Sequence, residues 1–119
     1  MKNLSRVGFF KELPYGDSDA DSIFEAKGKL KTDNIDEICN YLLRGVLLIM
    51  SPGMTKDFFS LDGKIIGSGK ILTDGEWAWH SDLSYYVRYY AVNLPNPFLQ
   101  HMRKNKNIPQ DLDILKLSI

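Results

Sequence analysis

The spacing of apolar residues changes several times along this chain, and each change predicts an element. In "DNIDEICNYLLRG", Asp33 to Gly45, Ile35, Ile38, Cys39 and Leu42 recur at helical spacing. Asn34 with Glu37 three residues later fits a capping box, and Arg44 with Gly45 suits the helix end. Val46 to Met50 is continuously apolar and partly β-branched, which predicts a strand covered on both faces. Ser51 to Gly53 suits a type II turn. Ile65–Ile66 and Ile71–Leu72, separated by Gly67 and Gly69, predict short interrupted strands. "TDG" at Thr73 to Gly75 is a hairpin signal. Trp77 and Trp79 after it share one side of a strand.

The next stretch alternates at helical period. Ser81 is the predicted cap, Asp82 lies in the first turn, and Leu83, Tyr86, Val87 and Tyr90 form an apolar stripe. Tyr85 and Tyr89 sit together beside that stripe. A further helix starts with Asn96 as cap and Pro97 at its first position, buries Phe98, Leu99 and Met102, and ends in Arg103, Lys104 and Lys106. Near the start, "DSDADSIFEAKG", Asp17 to Gly28, predicts a short helix. Its cap is Asp17, Ser18 or Asp19, its apolar face Ile23 and Phe24, and its stop Gly28. Val7, Phe9, Phe10 and Leu13 fit either a short strand or a helical turn, and the tail from Ile108 suits one more helical turn. The expected fold is one α/β domain over residues 1–119, with a small mixed or antiparallel sheet and about four helices.

Composition narrows the function. A chain of 119 residues suits one ordinary domain, and 44% hydrophobic with 25% charged content is that of a globular fold. Fifteen basic and fifteen acidic residues cancel, so a nucleic-acid or membrane surface would need a local basic patch. The N-terminal stretch has no secretory h-region, and Val46 to Met50 is too short to cross a bilayer. The single cysteine, Cys39, excludes an internal disulfide and a multi-cysteine zinc site. Together these favour a cytoplasmic protein.

Several constellations suggest chemistry and fall short of it. Asp17, Asp19 and Asp21 resemble the start of a calcium loop, but Ser22 and Gly28 stand where that loop needs Gly and Glu. With Glu25 they form instead an acidic block suited to steering a cationic partner. "GSGK" at Gly67 to Lys70 lacks the earlier Gly and the Ser or Thr of a phosphate loop. His80 and His101 could serve as an acid–base pair in a small hydrolase or nuclease, although their spacing does not require them to meet. No metal site and no cofactor is expected. Trp77, Trp79, Tyr85, Tyr86, Tyr89 and Tyr90 exceed what one side of a hairpin–helix unit can bury. The surplus suits a protein interface or, as a nucleic-acid-binding module, base stacking. Only Arg88 adds positive charge there, which disfavours direct nucleic-acid binding.

"GFFKELPYGD…SI", "YLLRGVLLIMSPG" and "ILTDGEWAWHSDLSYYVRYYAVNLPNPFLQHM" stand here in that order. In this the chain resembles small bacterial immunity proteins of contact-dependent growth inhibition and other polymorphic toxin systems. The most specific part is "TDG-x-W-x-W-x-x-DL-x-YYV-x-x-Y-x-V-x-LP", and the resemblance runs from about Phe9 to Pro109. It implies a cytoplasmic protein without catalysis that binds the C-terminal domain of one cognate toxin, often a nuclease and sometimes a tRNase, and blocks it. Many relatives have Pro where His80 stands, which argues against a catalytic His80. Immunity contacts vary between relatives, so the toxin-binding candidates come from the charge and aromatic pattern of this chain: Asp17, Asp19, Asp21 and Glu25 for charge, with Tyr85 and Tyr89 as candidate anchors.

Overall fold

Both tryptophans of the hairpin unit pack on Phe98, with ring centroids 5.3 Å and 5.8 Å away. That contact joins the sheet to the helices. The computed structural model describes residues 1–31 and 33–119. In chain order the elements are β1 (Lys2–Asn3), β2 (Ser5–Arg6), α1 (Ile23–Ala26), α2 (Ile35–Leu43), β3 (Val46–Lys56), β4 (Ile65–Thr73), β5 (Trp77–His80), α3 (Leu83–Tyr90), α4 (Asn96–Lys104), a 3-10 turn (Ile114–Lys116) and β6 (Leu117–Ser118). The main sheet is mixed, in the order β2-β5-β4-β3, with β2 parallel to β5 and the other pairs antiparallel. A second, two-stranded parallel sheet pairs β1 with β6. This is the expected α/β class, with four α-helices among the described residues.

Trp79, Tyr41, Tyr86 and Phe98 are the largest fully buried side chains. The Trp79 indole N–H donates to the Leu42 carbonyl at 3.1 Å, which satisfies its one polar atom inside the core. Gly45 sits where a Cβ would lie 2.8 Å from the Trp79 ring and from Leu72. The chain can therefore leave α2 and enter β3 directly beneath the indole. The α3 stripe is as predicted: Leu83, Tyr86 and Val87 are buried and Tyr90 packs against them.

Five local expectations change. Val46 to Met50 is not covered on both faces: β3 is the sheet edge, and Leu47, Ile49 and Met50 are exposed. Ser51 to Gly53 is a bulge inside β3 rather than a turn, for pairing jumps from Met50↔Lys70 to Met54↔Ser68. β4 is continuous, because Gly67 and Gly69 make room for Asp82 and Ser51 instead of breaking the strand. Capping differs in detail. Asn34 holds the cap position of α2 without a side-chain capping bond, Asp82 rather than Ser81 precedes α3, and Pro95 rather than Asn96 precedes α4. The first helix begins at Ile23, capped by Ser22 rather than Asp17, Ser18 or Asp19, and its Phe24 points outward.

Candidate functional site

The turn that carries the acidic block is fixed by its backbone. Asp17 N–H donates to the Phe9 carbonyl at 3.0 Å, and Lys11 N–H donates to the Asp21 carbonyl at 3.1 Å. Gly16 is packed so closely that a Cβ there would lie 1.8 Å from the Phe10 carbonyl oxygen. The Glu12 carboxylate accepts from Ser22 Oγ and, at 2.8 Å, from the Ile23 amide, so it secures the start of α1. Partial burial pushes Glu12 upward, but those hydrogen bonds outweigh it and hold the carboxyl below its ordinary range.

This scaffold brings all four predicted carboxylates to one cleft of about 500 Å³, lined by Asp17, Asp19, Asp21 and Glu25. Its lining also includes Asn93 and Pro95, from the segment between α3 and α4. Arg6 on β2 also reaches the cleft and pairs with Asp17 at 2.5 Å, a cation that the linear block does not contain. Among the described residues, Asp19, Asp21 and Glu25 have no ion pair. The cleft is net acidic and open to solvent.

Tyr85 and Tyr89 lie on α3, outside that cleft, with ring centroids 4.8 Å apart as their spacing predicts. They have different surroundings. The Tyr85 hydroxyl donates to the Asp57 carboxylate at 2.7 Å, and the Tyr90 hydroxyl donates to the same oxygen at 2.6 Å. Burial pushes Asp57 upward, but the Tyr90 and Tyr85 hydroxyls and the Phe59 amide prevail and hold it below the usual carboxylate range. Tyr85 thereby clamps the β3–β4 loop, while Tyr89 is 65% exposed. A further exposed ring, Phe24, packs edge-on against Phe58 at 5.4 Å. The Lys27 ammonium sits 4.5 Å above the Phe59 ring. The four residues of α1 connect the two regions, since Glu25 lines the acidic cleft and Phe24 joins the aromatic group.

The histidines belong to two separate networks. His80 is stacked on Tyr15 at 3.8 Å and is 4% exposed. Its Nδ1 accepts the Asp82 amide at 3.1 Å, which requires an unprotonated Nδ1. Burial also pulls its pKa down, against the neighbouring Asp82. His101, on α4, contacts the Asp74 carboxylate at 2.9 Å through Nε2. Asp74 also accepts from Tyr41 and from the Glu76 and Trp77 amides. Among the described residues, no group of His, Cys, Asp and Glu is arranged to hold a metal ion. No helix there is long and apolar enough to cross a membrane.

Phe24 and Arg6 are the parts of this surface that the sequence does not announce. The pair Ile23–Phe24 reads as one apolar face, and only the position of α1 sends its second member outward. Comparison with models of protein families, with curated proteins and with solved structures gives no match.

Proposed function

We propose that this chain is an immunity protein that binds the C-terminal domain of a cognate toxin of nuclease type and blocks it without catalysis. The observation that carries the reading is the cleft of Asp19, Asp21 and Glu25, free of ion pairs among the described residues, joined through α1 to the exposed ring of Phe24. A nuclease needs a cationic surface for phosphates, and carboxylates presented on a rigid turn complement it. Exposed rings beside such charges supply apolar anchors, for which Phe24 and Tyr89 are the accessible candidates. Asp17 and Tyr85 are less available to a partner, since each is already engaged, with Arg6 and Asp57 respectively.

Co-expression with the toxin domain encoded beside its gene tests the reading. Growth should be rescued, and the two proteins should co-purify. Reversing Asp19, Asp21 and Glu25 together to Lys should slow association at low salt. A chain that neither rescues growth nor forms a complex is not an immunity protein for that toxin. Rescue unaffected by the triple reversal would leave the function standing and remove this cleft from it.

A further inference from the structure

A second cleft, of about 600 Å³, lies on the other side of Asn93, a residue that lines both. Its charge is opposite. Lys29, Lys31, Arg103 and Lys106 line it, against Glu37 as the one carboxylate among the described residues. Among the described residues none of these four cations takes part in an ion pair. In a chain with fifteen basic and fifteen acidic residues, that is a marked local concentration of positive charge.

The fold holds this arrangement in place. Leu30 is buried, and its amide donates to the Ala91 carbonyl at 3.0 Å, which anchors the backbone between Lys29 and Lys31. Both flanking lysines are exposed. Across the cleft, Asn96, Leu99 and Arg103 recur along one side of α4, and Lys106 follows just past its end. Asn93 and Asn96 add side-chain amides, which can donate to oxyanions. The apolar part of the lining is the half-buried Leu99 with Leu30, Ile38 and Met102, which are buried in the core.

We propose that this cleft binds a short polyanion of the polyphosphate class, either free or as the phosphate chain of a nucleotide. Its four cations outnumber the carboxylate of Glu37 among the described residues, and its asparagine amides add donors, which suits a ligand with several negative oxygens. Among the described residues no aromatic ring lines it, so they offer no stacking platform for the bases of single-stranded nucleic acid. A long phosphate backbone leaving the cleft past Asn93 would meet Asp17, Asp19, Asp21 and Glu25. That repulsion disfavours a long backbone running toward Asn93 and favours a ligand short enough to stay among the cations.

Isothermal titration of the full chain with inorganic triphosphate and, separately, with adenosine triphosphate at low ionic strength tests this inference. Saturable binding that weakens with salt is expected. Equal affinities for the two probes identify the phosphates as the whole of the recognised group, and tighter binding of the nucleotide shows that the nucleoside also contributes. The double variant Lys29→Glu/Arg103→Glu changes two exposed side chains and should bind either probe about tenfold more weakly or worse, with an unchanged circular dichroism spectrum. The acidic-cleft variant Asp19→Lys/Asp21→Lys should not lose affinity. The proposal is overturned if neither probe binds, if the Lys29/Arg103 reversal leaves affinity unchanged, or if a single-stranded oligonucleotide binds more tightly than triphosphate. None of these outcomes depends on the toxin, so the immunity reading stands or falls separately.

Discussion

The Tyr41 hydroxyl, on α2, donates a 2.6 Å hydrogen bond to the buried carboxylate of Asp74, in the turn between β4 and β5. This bond ties the hairpin to the helical layer, and His101 joins it from α4. Removing the carboxylate with Asp74→Ala leaves the Tyr41 hydroxyl and two backbone amides without their acceptor. The expected loss is about 3 kcal/mol. Tyr41→Phe removes one of several donors to that carboxylate and should cost about 1–2 kcal/mol. Urea unfolding of the two variants checks the ranking, and a larger loss for Tyr41→Phe would contradict it.

Gly67 and Asp82 give a steric prediction. A Cβ on Gly67 would lie 2.6 Å from Asp82 Oδ1, the oxygen that accepts the Thr55 hydroxyl. Gly67→Ala should therefore displace that carboxylate and cost about 1–3 kcal/mol. At Gly69 the nearest contact is 3.3 Å, to Ser51 in the bulge, so Gly69→Ala should be the milder change. Thermal denaturation of the pair measures the difference.

Asp57 sets a pH dependence. Its carboxyl is held below the ordinary value of 3.8 in the folded chain, mainly against burial, by the hydroxyls of Tyr90 and Tyr85. The folded state then binds this proton less readily than the unfolded state does. The contribution is present above 3.8 and is lost as pH falls through the lower, folded value. Asp57→Asn should be less stable than the wild-type chain at neutral pH by about 1–2 kcal/mol. The gap should close on acidification below that range. A gap that stayed constant with pH would show that the carboxylate's charge is not what stabilises the loop.

The neighbouring tyrosines should separate by role. Tyr85→Phe removes a hydroxyl from Asp57 and should cost about 1 kcal/mol of stability. Tyr89→Ala, at a 65% exposed site, should change stability by no more than about 0.5 kcal/mol. If the aromatic surface anchors a toxin domain, Tyr89→Ala should instead raise the dissociation rate of the complex. A Tyr89→Ala chain that is strongly destabilised would make that ring structural.

What the sequence made legible was local. The α3 stripe, the pairing of Trp77 with Trp79 on one face and the turn at Gly75 follow from spacing within a few residues, and all are present. The clustering of Asp17, Asp19, Asp21 and Glu25 on one cleft also follows from proximity in the chain. The misses depend on distant partners. An apolar run reads the same in a central and in an edge strand, and only the sheet order left β3 outside. Arg6 enters the acidic cleft because β2 lies beside β5, and Asp82 replaces Ser81 before α3 while engaging Thr55 from another strand. The pairing of β1 with β6 joins residues more than a hundred positions apart, where periodicity carries no information.

The bulge at Ser51 to Gly53 has a bearing on solubility. From Val46 to Thr55 the edge strand carries no ionisable side chain, and its outer backbone groups face no neighbouring strand among the described residues. A regular edge this neutral and apolar would invite pairing between molecules and growth toward fibrils. Pro52 has no amide hydrogen to offer, and the bulge throws the strand out of register on either side of it. Further irregularities fall between Leu47 and Ile49 and between Thr55 and Lys56, so an incoming strand would find no unbroken ladder along this edge. The irregularity that separates this strand from an ideal one thus acts as a guard against runaway assembly.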